Sequence, residues 1–318
     1  MIASLKSWLA STAILTGATA RAARRQGHQL RIVMYHGVLP RVEGPSAFGN
    51  LFISADRFAR HMRYLQKNFC VISCSEALAA NGRFPERAVM VTFDDGYRHT
   101  ITTALPILRS LGLPSAVFIV PGLIDRQEGL WFDALRLVVA SRRVRDPQRR
   151  YRDELFRLRG LSSEAFAMAR DQVLAGCRQH PWVQEHSEFA LASWDEWRQA
   201  VAEGSVTIGA HGLTHTDLTT LSPAALRQEL SDAKRRIEEE LGVSCQTIAY
   251  PYGAWNASVA AAAREAGYAC AVTTEDGLNT AQTDPLRWHR TMIGDQGKVS
   301  LFRARVSGAW QALRSAGA

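Results

Sequence analysis

The stretch Val89-Met-Val-Thr-Phe-Asp-Asp-Gly-Tyr97 decides the fold class, because in it an apolar strand ends in two carboxylates. The run from Ala88 to Phe93 is short, continuous and rich in Val, which predicts a buried strand. Asp94 and Asp95 follow where that strand stops, at the edge where α/β folds place their chemistry. Neighbouring side chains at a strand end point in different directions, so one carboxylate could hold a metal while the other handles protons. The alternative is an ordinary turn, since Asp-Asp-Gly also suits a turn.

A second β-branched run, Val206-Thr-Ile-Gly-Ala-His-Gly-Leu-Thr-His215, ends in two histidines. The spacing of His211 and His215 brings both imidazoles onto one side of a helical turn or compact loop, as a divalent metal requires. Two imidazoles and one carboxylate make a three-ligand site with open positions for water and substrate, which is typical of catalytic zinc. A His pair alone more often lies on a solvated helix face. Together with an Asp pair that also closes a strand, a metal site is the better interpretation.

The third stretch, Thr247-Ile-Ala-Tyr-Pro-Tyr-Gly253, is a strand followed by Pro and Gly. In chain order, Thr92-Phe-Asp-Asp-Gly96, His211-x-x-x-His215 and Pro251-Tyr-Gly253 resemble the motifs of the polysaccharide deacetylase family, the NodB-homology enzymes of carbohydrate esterase family four. The resemblance runs from about Ile32 to about Arg290 and is interrupted by one long insertion. It implies an α/β fold, a distorted (β/α) barrel, and a hydrolase that removes N-acetyl groups from a sugar or polysaccharide.

The resemblance also implies a role for individual residues. Asp95, His211 and His215 would bind a divalent metal, Zn above all, which activates water and carbonyl groups. Asp94 would be the general base, and the backbone N–H of Tyr252 would hold the oxyanion. The implied partner is an N-acetylated glycan.

Two positions depart from the common family pattern. Many members carry an Arg two residues before the Pro of the third motif, where it pairs with the base. Here that position is Ala249, and Arg290, near a later strand end, could supply the same charge. Members also often place the general-acid His in a Leu-x-His string near the C-terminus, and no such string follows Arg290. His36, which closes the predicted strand Leu30-Arg-Ile-Val-Met-Tyr-His-Gly37, is the preferred candidate for the acid, with His289 second.

The length of 318 residues exceeds one average domain, but a single α/β barrel of ~250 residues is routine. Alternating strands and helices over residues 28–300 predict one catalytic domain, with a helical insertion at about 122–187 and a C-terminal helix at 301–318. Residues 135–160 carry nine arginines against three acids. This favours a solvated helical insertion packed on the barrel over a basic surface for an anionic or lipid-linked glycan.

Residues 1–27 contain a modest apolar stretch, interrupted by Ser and Thr and followed by arginines. The pattern resembles a weak signal peptide and fits equally well a retained helix on the protein or on a membrane surface. We favour retention, which predicts a cytoplasmic or inner-membrane-associated enzyme rather than an exported one. The formal net charge of +8 predicts attraction to acidic surfaces, peripheral membrane contact included. No recognised nucleic-acid module is present, and the five scattered cysteines do not suggest a disulfide framework.

Two other functions fit the same residues. One is the removal of a different small acyl group, such as formyl, from a sugar amide. The other is a glycan-binding homologue that keeps the metal but has lost turnover. Because the expected metal ligands and Asp94 are all present, an active deacetylase is favoured.

Overall fold

The computed structural model describes residues 27–142, 144–161, 163–178, 186–204, 206–295 and 299–309. The predicted signal-like segment or helix at residues 1–27 lies outside this part of the chain, apart from Gly27. The predicted C-terminal helix at 301–318 is described only as far as residue 309.

A curled sheet of parallel strands forms the centre of the described chain. The strands are β1 (Leu30–Tyr35), β2 (Gly37–Leu39), β3 (Phe52–Ser54), β4 (Cys70–Val71), β5 (Ala88–Phe93), β6 (Ser115–Ile119), β7 (Val206–Ala210), β8 (Thr247–Ala249), β9 (Cys270–Val272) and β10 (Thr291–Met292). The main sheet has the order β10-β1-β5-β6-β7-β8-β9, and β4 pairs with β5. A parallel bridge from Val272 to Trp288 joins the β9 edge to the segment that becomes β10. The sheet therefore curls round on itself, which confirms the predicted distorted (β/α) barrel.

Helices pack around this sheet. They are α1 (Ala55–Asn68), α2 (Cys74–Ala79), α3 (Leu105–Ser110), α4 (Pro121–Arg126), α5 (Trp131–Ser141), α6 (Pro147–Arg159), α7 (Ser163–Arg178), α8 (Trp194–Ala202), α9 (Pro223–Leu241), α10 (Ala257–Glu265) and α11 (Val299–Val306). The long helix α9 shows how the sequence sets these limits. Ser222 caps its first turn by accepting a hydrogen bond from the backbone N–H of Ala225, and Gly242 ends it with a left-handed φ of 64°.

The residues of β5 alternate between two apolar clusters. Val89, Val91 and Phe93 pack in the cluster that includes the helices, whereas Ala88 and Met90 pack in the cluster of strand residues on the other face. All six residues of β5 are buried, as expected of a parallel strand that is covered on both faces. Because side chains two residues apart point to the same face of a strand, Asp94 follows Met90 and Thr92 on the inner face, opposite the helices.

Helices α4 to α7 occupy the predicted insertion, and their apolar residues form a cluster with Phe52 and Tyr97 of the barrel. Arg136 lies inside this cluster with no exposed surface and pairs with the buried carboxylate of Asp133, which also accepts a hydrogen bond of 2.6 Å from Tyr97 Oη. The exposed arginines of residues 135–160 are Arg142, Arg145, Arg149, Arg150, Arg152, Arg157 and Arg159. One arginine of the run thus supports the core, and most of the others face water.

Two further properties concern the lengths of the helices and the state of the cysteines. Over the described ranges, none of the helices is both long enough and apolar enough to cross a bilayer. The five cysteines are free thiols, of which Cys70 is exposed and the others are buried. The buried cysteines therefore act as small packing residues.

Helix α1 buries a histidine against the sheet. His61 Nδ1 lies 3.1 Å from Tyr35 Oη, and the imidazole stacks on the Phe302 ring of α11 at 3.8 Å. Burial, helped by the nearby charges of Arg57 and Arg60, lowers the pKa of His61 to about 3. An unfolded histidine titrates near pH ~6.5. Between these values only the unfolded chain binds the proton, so acidification through this window favours unfolding.

We expect His61→Gln to flatten the decrease in unfolding free energy between pH 7 and pH 4.5, because the variant removes one of the buried imidazoles that only the unfolded chain protonates in this range. The change in slope should approach about 1.4 kcal/mol per pH unit. Urea denaturation at a series of pH values measures it, and the exposed His28→Gln serves as the control. An unaltered slope in His61→Gln would mean that the folded protein tolerates the proton at this position.

Candidate active site

Polar residues follow several strands of the main sheet at the point where each strand ends. Asp94 and Asp95 come after β5, His211 follows β7, and Tyr252 lies in the short turn after β8. Because these strands are parallel, their carboxyl ends meet at one rim of the barrel, the position where such folds build their sites.

Asp94 forms a two-point ion pair with Arg290, which precedes β10. Arg290 Nη1 donates to Asp94 Oδ1 at 2.6 Å and Nη2 donates to Oδ2 at 2.7 Å. Arg290 Nε donates to the carbonyl of Thr273 at 2.8 Å, which fixes the plane of the guanidinium. Arg290 therefore holds the charge that family members often place at the position of Ala249.

Both partners of this ion pair are buried. Burial is the largest single influence and opposes ionisation of Asp94, but the charge and hydrogen bonds of Arg290 and the charges of nearby imidazoles together outweigh it and lower the pKa of the carboxyl below its ordinary value. Interactions with His211 and His36 act in the same direction. Asp94 is therefore a carboxylate at neutral pH and is able to accept a proton.

Asp95, His211 and His215 form a buried cluster whose candidate ligand atoms lie within 4.8 Å of one another. Asp95 Oδ1 is 3.5 Å from His211 Nε2 and 3.3 Å from His215 Nε2. These contacts lack hydrogen-bond geometry, and neither carboxylate oxygen of Asp95 has a hydrogen-bond partner among the described residues. A buried carboxylate without donors is costly, whereas a cation would satisfy it. The two imidazoles and one carboxylate therefore fit a divalent metal of the zinc type.

The tautomer of His211 follows from its surroundings. Its Nδ1 lies 2.7 Å from the carbonyl oxygen of Ala249. Since that oxygen can only accept, Nδ1 donates, and the lone pair of Nε2 faces Asp95. Burial lowers the pKa of His211 to about 4. The imidazole is therefore neutral at pH 7 and available as a ligand.

The loop that carries both histidines is held by Glu229 of α9. Glu229 Oε1 accepts hydrogen bonds from the backbone N–H of Leu213 at 2.9 Å, from that of Thr214 at 2.7 Å and from Thr214 Oγ1 at 2.9 Å. Gly212 is required beside it, because its φ is 69° and a Cβ there would lie 3.2 Å from Glu229 Oε1. The sequence motifs give no hint of Glu229. The available signal is an acid on the buried face of α9, in register with Leu226 and Leu230.

Replacing Glu229 by Ala should weaken divalent-ion binding about 10-fold, because the loop loses the acceptor that shapes it. Glu229→Gln keeps an oxygen in the same place and should retain most of the affinity. Competition with a chromophoric chelator measures the binding, and the exposed Glu239→Ala of the same helix is the matched control. Equal affinity in wild type and Glu229→Ala would show that the loop keeps its shape without this side chain.

Three site residues have left-handed backbone conformations. The φ angles are 75° at Asp95, 59° at His215 and 60° at Tyr252. Such conformations cost non-glycine residues about 1–2 kcal/mol each. Strained backbone at three neighbouring site residues is typical of a functional site, where the required positions of the side chains outweigh the cost of the strain.

The ring of Tyr252 is fixed from several sides. Its Oη accepts a hydrogen bond of 2.8 Å from Trp131 Nε1 of α5, and its ring meets the imidazole of His215 edge-on at 4.7 Å. The guanidinium of Arg159, at the end of α6, lies over the same ring with Cζ 4.5 Å from the centroid. Phe132 of α5 also contacts His215 and packs edge-on against its imidazole at 5.5 Å. The insertion therefore supports the rim directly, which the sequence does not reveal.

The two candidates for the general acid lie in different places. His36 is half-buried after β1, and its charge acts on both Asp94 and Asp95. His289 Nδ1 lies 3.5 Å from a carboxylate oxygen of Glu275. Because neighbouring residues of an extended segment point to opposite sides, His289 faces away from the site that Arg290 enters. The charge of His36 thus acts on the two carboxylates, whereas His289 faces Glu275, and the acid role of His36 stays a prediction.

Comparison with known proteins agrees with this geometry. The protein YxkH of Bacillus subtilis (strain 168) is 22% identical over 283 residues, which cover 88% of this chain and 72% of YxkH. The structure of a Streptococcus pyogenes deacetylase, PplD in complex with acetate, is 19% identical, with a TM-score of 0.63 over 88% of this chain and 99% of that one. A polysaccharide deacetylase from Bacillus cereus is also 19% identical. Its TM-score is 0.61, and the match covers 88% of this chain and 69% of that one. At these identities the structural likeness shows a shared fold.

The family model described as polysaccharide deacetylase matches residues 81–271, more than half of the chain. The matched segment contains the Asp pair, both histidines and Tyr252, whereas His36 and Arg290 lie beyond it. The strand-ending motifs, the barrel and the family match agree, and the chain therefore belongs to the polysaccharide deacetylase family of hydrolytic enzymes.

Proposed function

We propose that this enzyme is a metal-dependent N-deacetylase that hydrolyses the acetamide of an N-acetylated sugar within a glycan. One observation carries the proposal. The buried Asp94–Arg290 ion pair and the cluster of Asp95, His211 and His215 share one rim of the barrel. A base and a set of metal ligands side by side are what amide hydrolysis needs.

Asp95, His211 and His215 would hold the metal ion, because their ligand atoms converge and the carboxylate has no other hydrogen-bond partner within the described ranges. When bound, such an ion supplies Lewis-acid chemistry, in which a water becomes more acidic and an acetamide carbonyl more electrophilic. The carbonyl of Ala249 holds His211 in the tautomer that leaves Nε2 free.

Asp94 would take a proton from the attacking water. Arg290 occupies one lone pair on each oxygen of Asp94, which orients the carboxylate and leaves the remaining lone pairs to accept that proton. The lowered pKa of Asp94 keeps it ionised at neutral pH, so the base is ready without a prior deprotonation.

The backbone N–H of Tyr252 would donate to the oxyanion that develops on the acetamide. Its turn is held by the hydrogen bond from Trp131 to the phenol, which keeps the donor in one position. His36 would protonate the departing amine, since it is half-buried after β1 and its charge acts on both carboxylates. The products are acetate and a free amino sugar.

Acetate release from short N-acetylglucosamine oligomers tests the proposal. Wild type loaded with Zn²⁺ is compared with chelated protein, with Asp94→Asn and with the exposed Asp56→Asn as control. We expect release that needs the ion and that falls by about 10²–10⁴-fold in Asp94→Asn only.

Two other outcomes would overturn the proposal in different ways. Release of formate from N-formyl sugars, without acetate from N-acetyl sugars, would identify a different deacylase. A folded, ion-loaded protein that binds the oligomers and releases nothing would be a glycan-binding homologue.

A further inference from the structure

The helical insertion reaches the active-site rim at Tyr252. Trp131, at the start of α5, donates a hydrogen bond to the phenol oxygen, and Arg159, at the end of α6, lies over the phenol ring. Tyr252 in turn contacts the imidazole of His215. One aromatic ring therefore separates the guanidinium of Arg159 from a predicted metal ligand.

Arg159 differs in its partners from its neighbour Arg157. Arg157 donates to both carboxylate oxygens of Glu154, at 3.1 Å from Nε and 2.7 Å from Nη2. Arg159 is exposed, and no acidic side chain of the described residues lies within ion-pair distance of it. Its charge is therefore uncompensated at the mouth of the site.

The surroundings of Arg159 strengthen this positive charge. Helix α6, Pro147–Arg159, contains five arginines and two acids. Positive charge that is clustered beside a cleft concentrates anionic ligands there. An anionic substrate would meet this field before it reaches the catalytic groups.

Stacking on Tyr252 also prepares Arg159 for recognition. A guanidinium over an aromatic face is held by a cation–π contact, and the N–H groups at its edge stay available. Those N–H groups form a planar fork that matches the two oxygens of a carboxylate or phosphate. Part of the entropy cost of ordering the arginine is thus met before a ligand arrives.

We propose that Arg159 recognises an anionic group, a carboxylate or a phosphate, that the glycan carries on or next to the sugar that is deacetylated. The proposal rests on the proposed function and adds a substrate class to it, an acidic N-acetylated glycan. The single ring between Arg159 and His215 limits the anion to the reacting sugar or an adjacent unit.

The first experiment compares kcat/KM for a neutral N-acetylglucosamine oligomer with two acidic ones of the same length, one containing alternating uronate and one carrying a phosphodiester. We expect wild type to prefer at least one acidic oligomer. Arg159→Gln should reduce the ratio of acidic to neutral kcat/KM about 10-fold, as expected for the loss of one charge-assisted contact. Arg159→Lys should restore only part of the ratio, because an ammonium cannot make the two-point contact. The acidic oligomer that shows the effect identifies the anion as carboxylate or phosphate.

Arg152→Gln is the matched control, since Arg152 is exposed on the same helix and lies about two helical turns before Arg159. It should keep the wild-type ratio. A drop of the same size in Arg152→Gln, an unaltered ratio in Arg159→Gln, or a wild type that prefers neither acidic oligomer would overturn the proposal.

A binding measurement separates this proposal from the proposed function. Calorimetry with the deacetylated oligomers, which have no acetyl group to lose, reports anion preference on the ion-loaded protein without turnover. Tighter binding of an acidic oligomer that is lost in Arg159→Gln supports the anion site even if wild type releases no acetate. Acetate release without any such preference would leave the deacetylase intact and remove the anion site.

Discussion

Arg290→Met is expected to lower the unfolding free energy by about 3–5 kcal/mol, the range typical of breaking a buried ion pair. The substitution leaves the buried carboxylate of Asp94 without the two hydrogen bonds that hold it. The carboxylate must then be protonated or hydrated, and in either form it is a poor base at the required position. Acetate release should fall together with stability. Urea denaturation and the acetate assay measure the two effects.

The double variant Asp94→Asn/Arg290→Met shows whether charge is the cause. It removes both charges, so it should regain much of the stability that Arg290→Met loses, while acetate release stays absent. Arg287→Met, an exposed arginine close by in sequence, controls for the change of residue type. If single and double variants lost equal stability, packing would explain the role of Arg290 better than charge.

The second large effect is expected at Asp95. A divalent ion that binds only the folded protein raises its unfolding free energy by about 2.7 kcal/mol when the free ion is present at 100 times its Kd. Asp95→Asn should abolish this gain and lower acetate release by more than about 100-fold, since even partners that only orient the ligands are worth about 10–100-fold. Thermal unfolding with Zn²⁺, Co²⁺ or Mn²⁺ measures the gain for each metal.

The same titration on Asp56→Asn provides the control, because Asp56 is an exposed acid at the start of α1. Its midpoint should shift with the ion as in wild type. A full ion-dependent shift in Asp95→Asn would place the ion at another site, and the orphaned carboxylate would then require a different explanation.

The sequence predicts that Asp95, His211 and His215 come together, and it does so for a specific physical reason. Asp95 and His211 each follow a short β-branched run, and parallel strands end at a common rim. The motif spacing therefore carries three-dimensional information, although the motifs are far apart in the chain. The strand Ala88–Phe93 has the predicted limits. The strand predicted to begin at Thr247 and to precede Pro251 is observed as Thr247–Ala249.

Other parts of the site depend on packing that no local pattern encodes. The sequence suggests Arg290 as a replacement for the missing arginine. Its contact with Asp94 joins residues 196 positions apart and forms only when the barrel closes. Glu229 and Trp131 belong to helices whose periodicity predicts a buried face but not the loop or phenol that each one meets. The choice between His36 and His289 depends on which way an extended segment faces, and a shift of one residue reverses that direction.

The closing segment of the barrel also sets an order of events during synthesis. Asp94 emerges from the ribosome 196 residues before the arginine that pairs with it, and β10 is the last strand to join β1. At 5–20 residues per second this delay is about 10–40 s. During that time a closed barrel would bury the carboxylate of Asp94 without its partner, which is costly in free energy. We therefore expect this rim to stay open and hydrated in the nascent chain. Translation must therefore pass residue 290 before this ion pair can form.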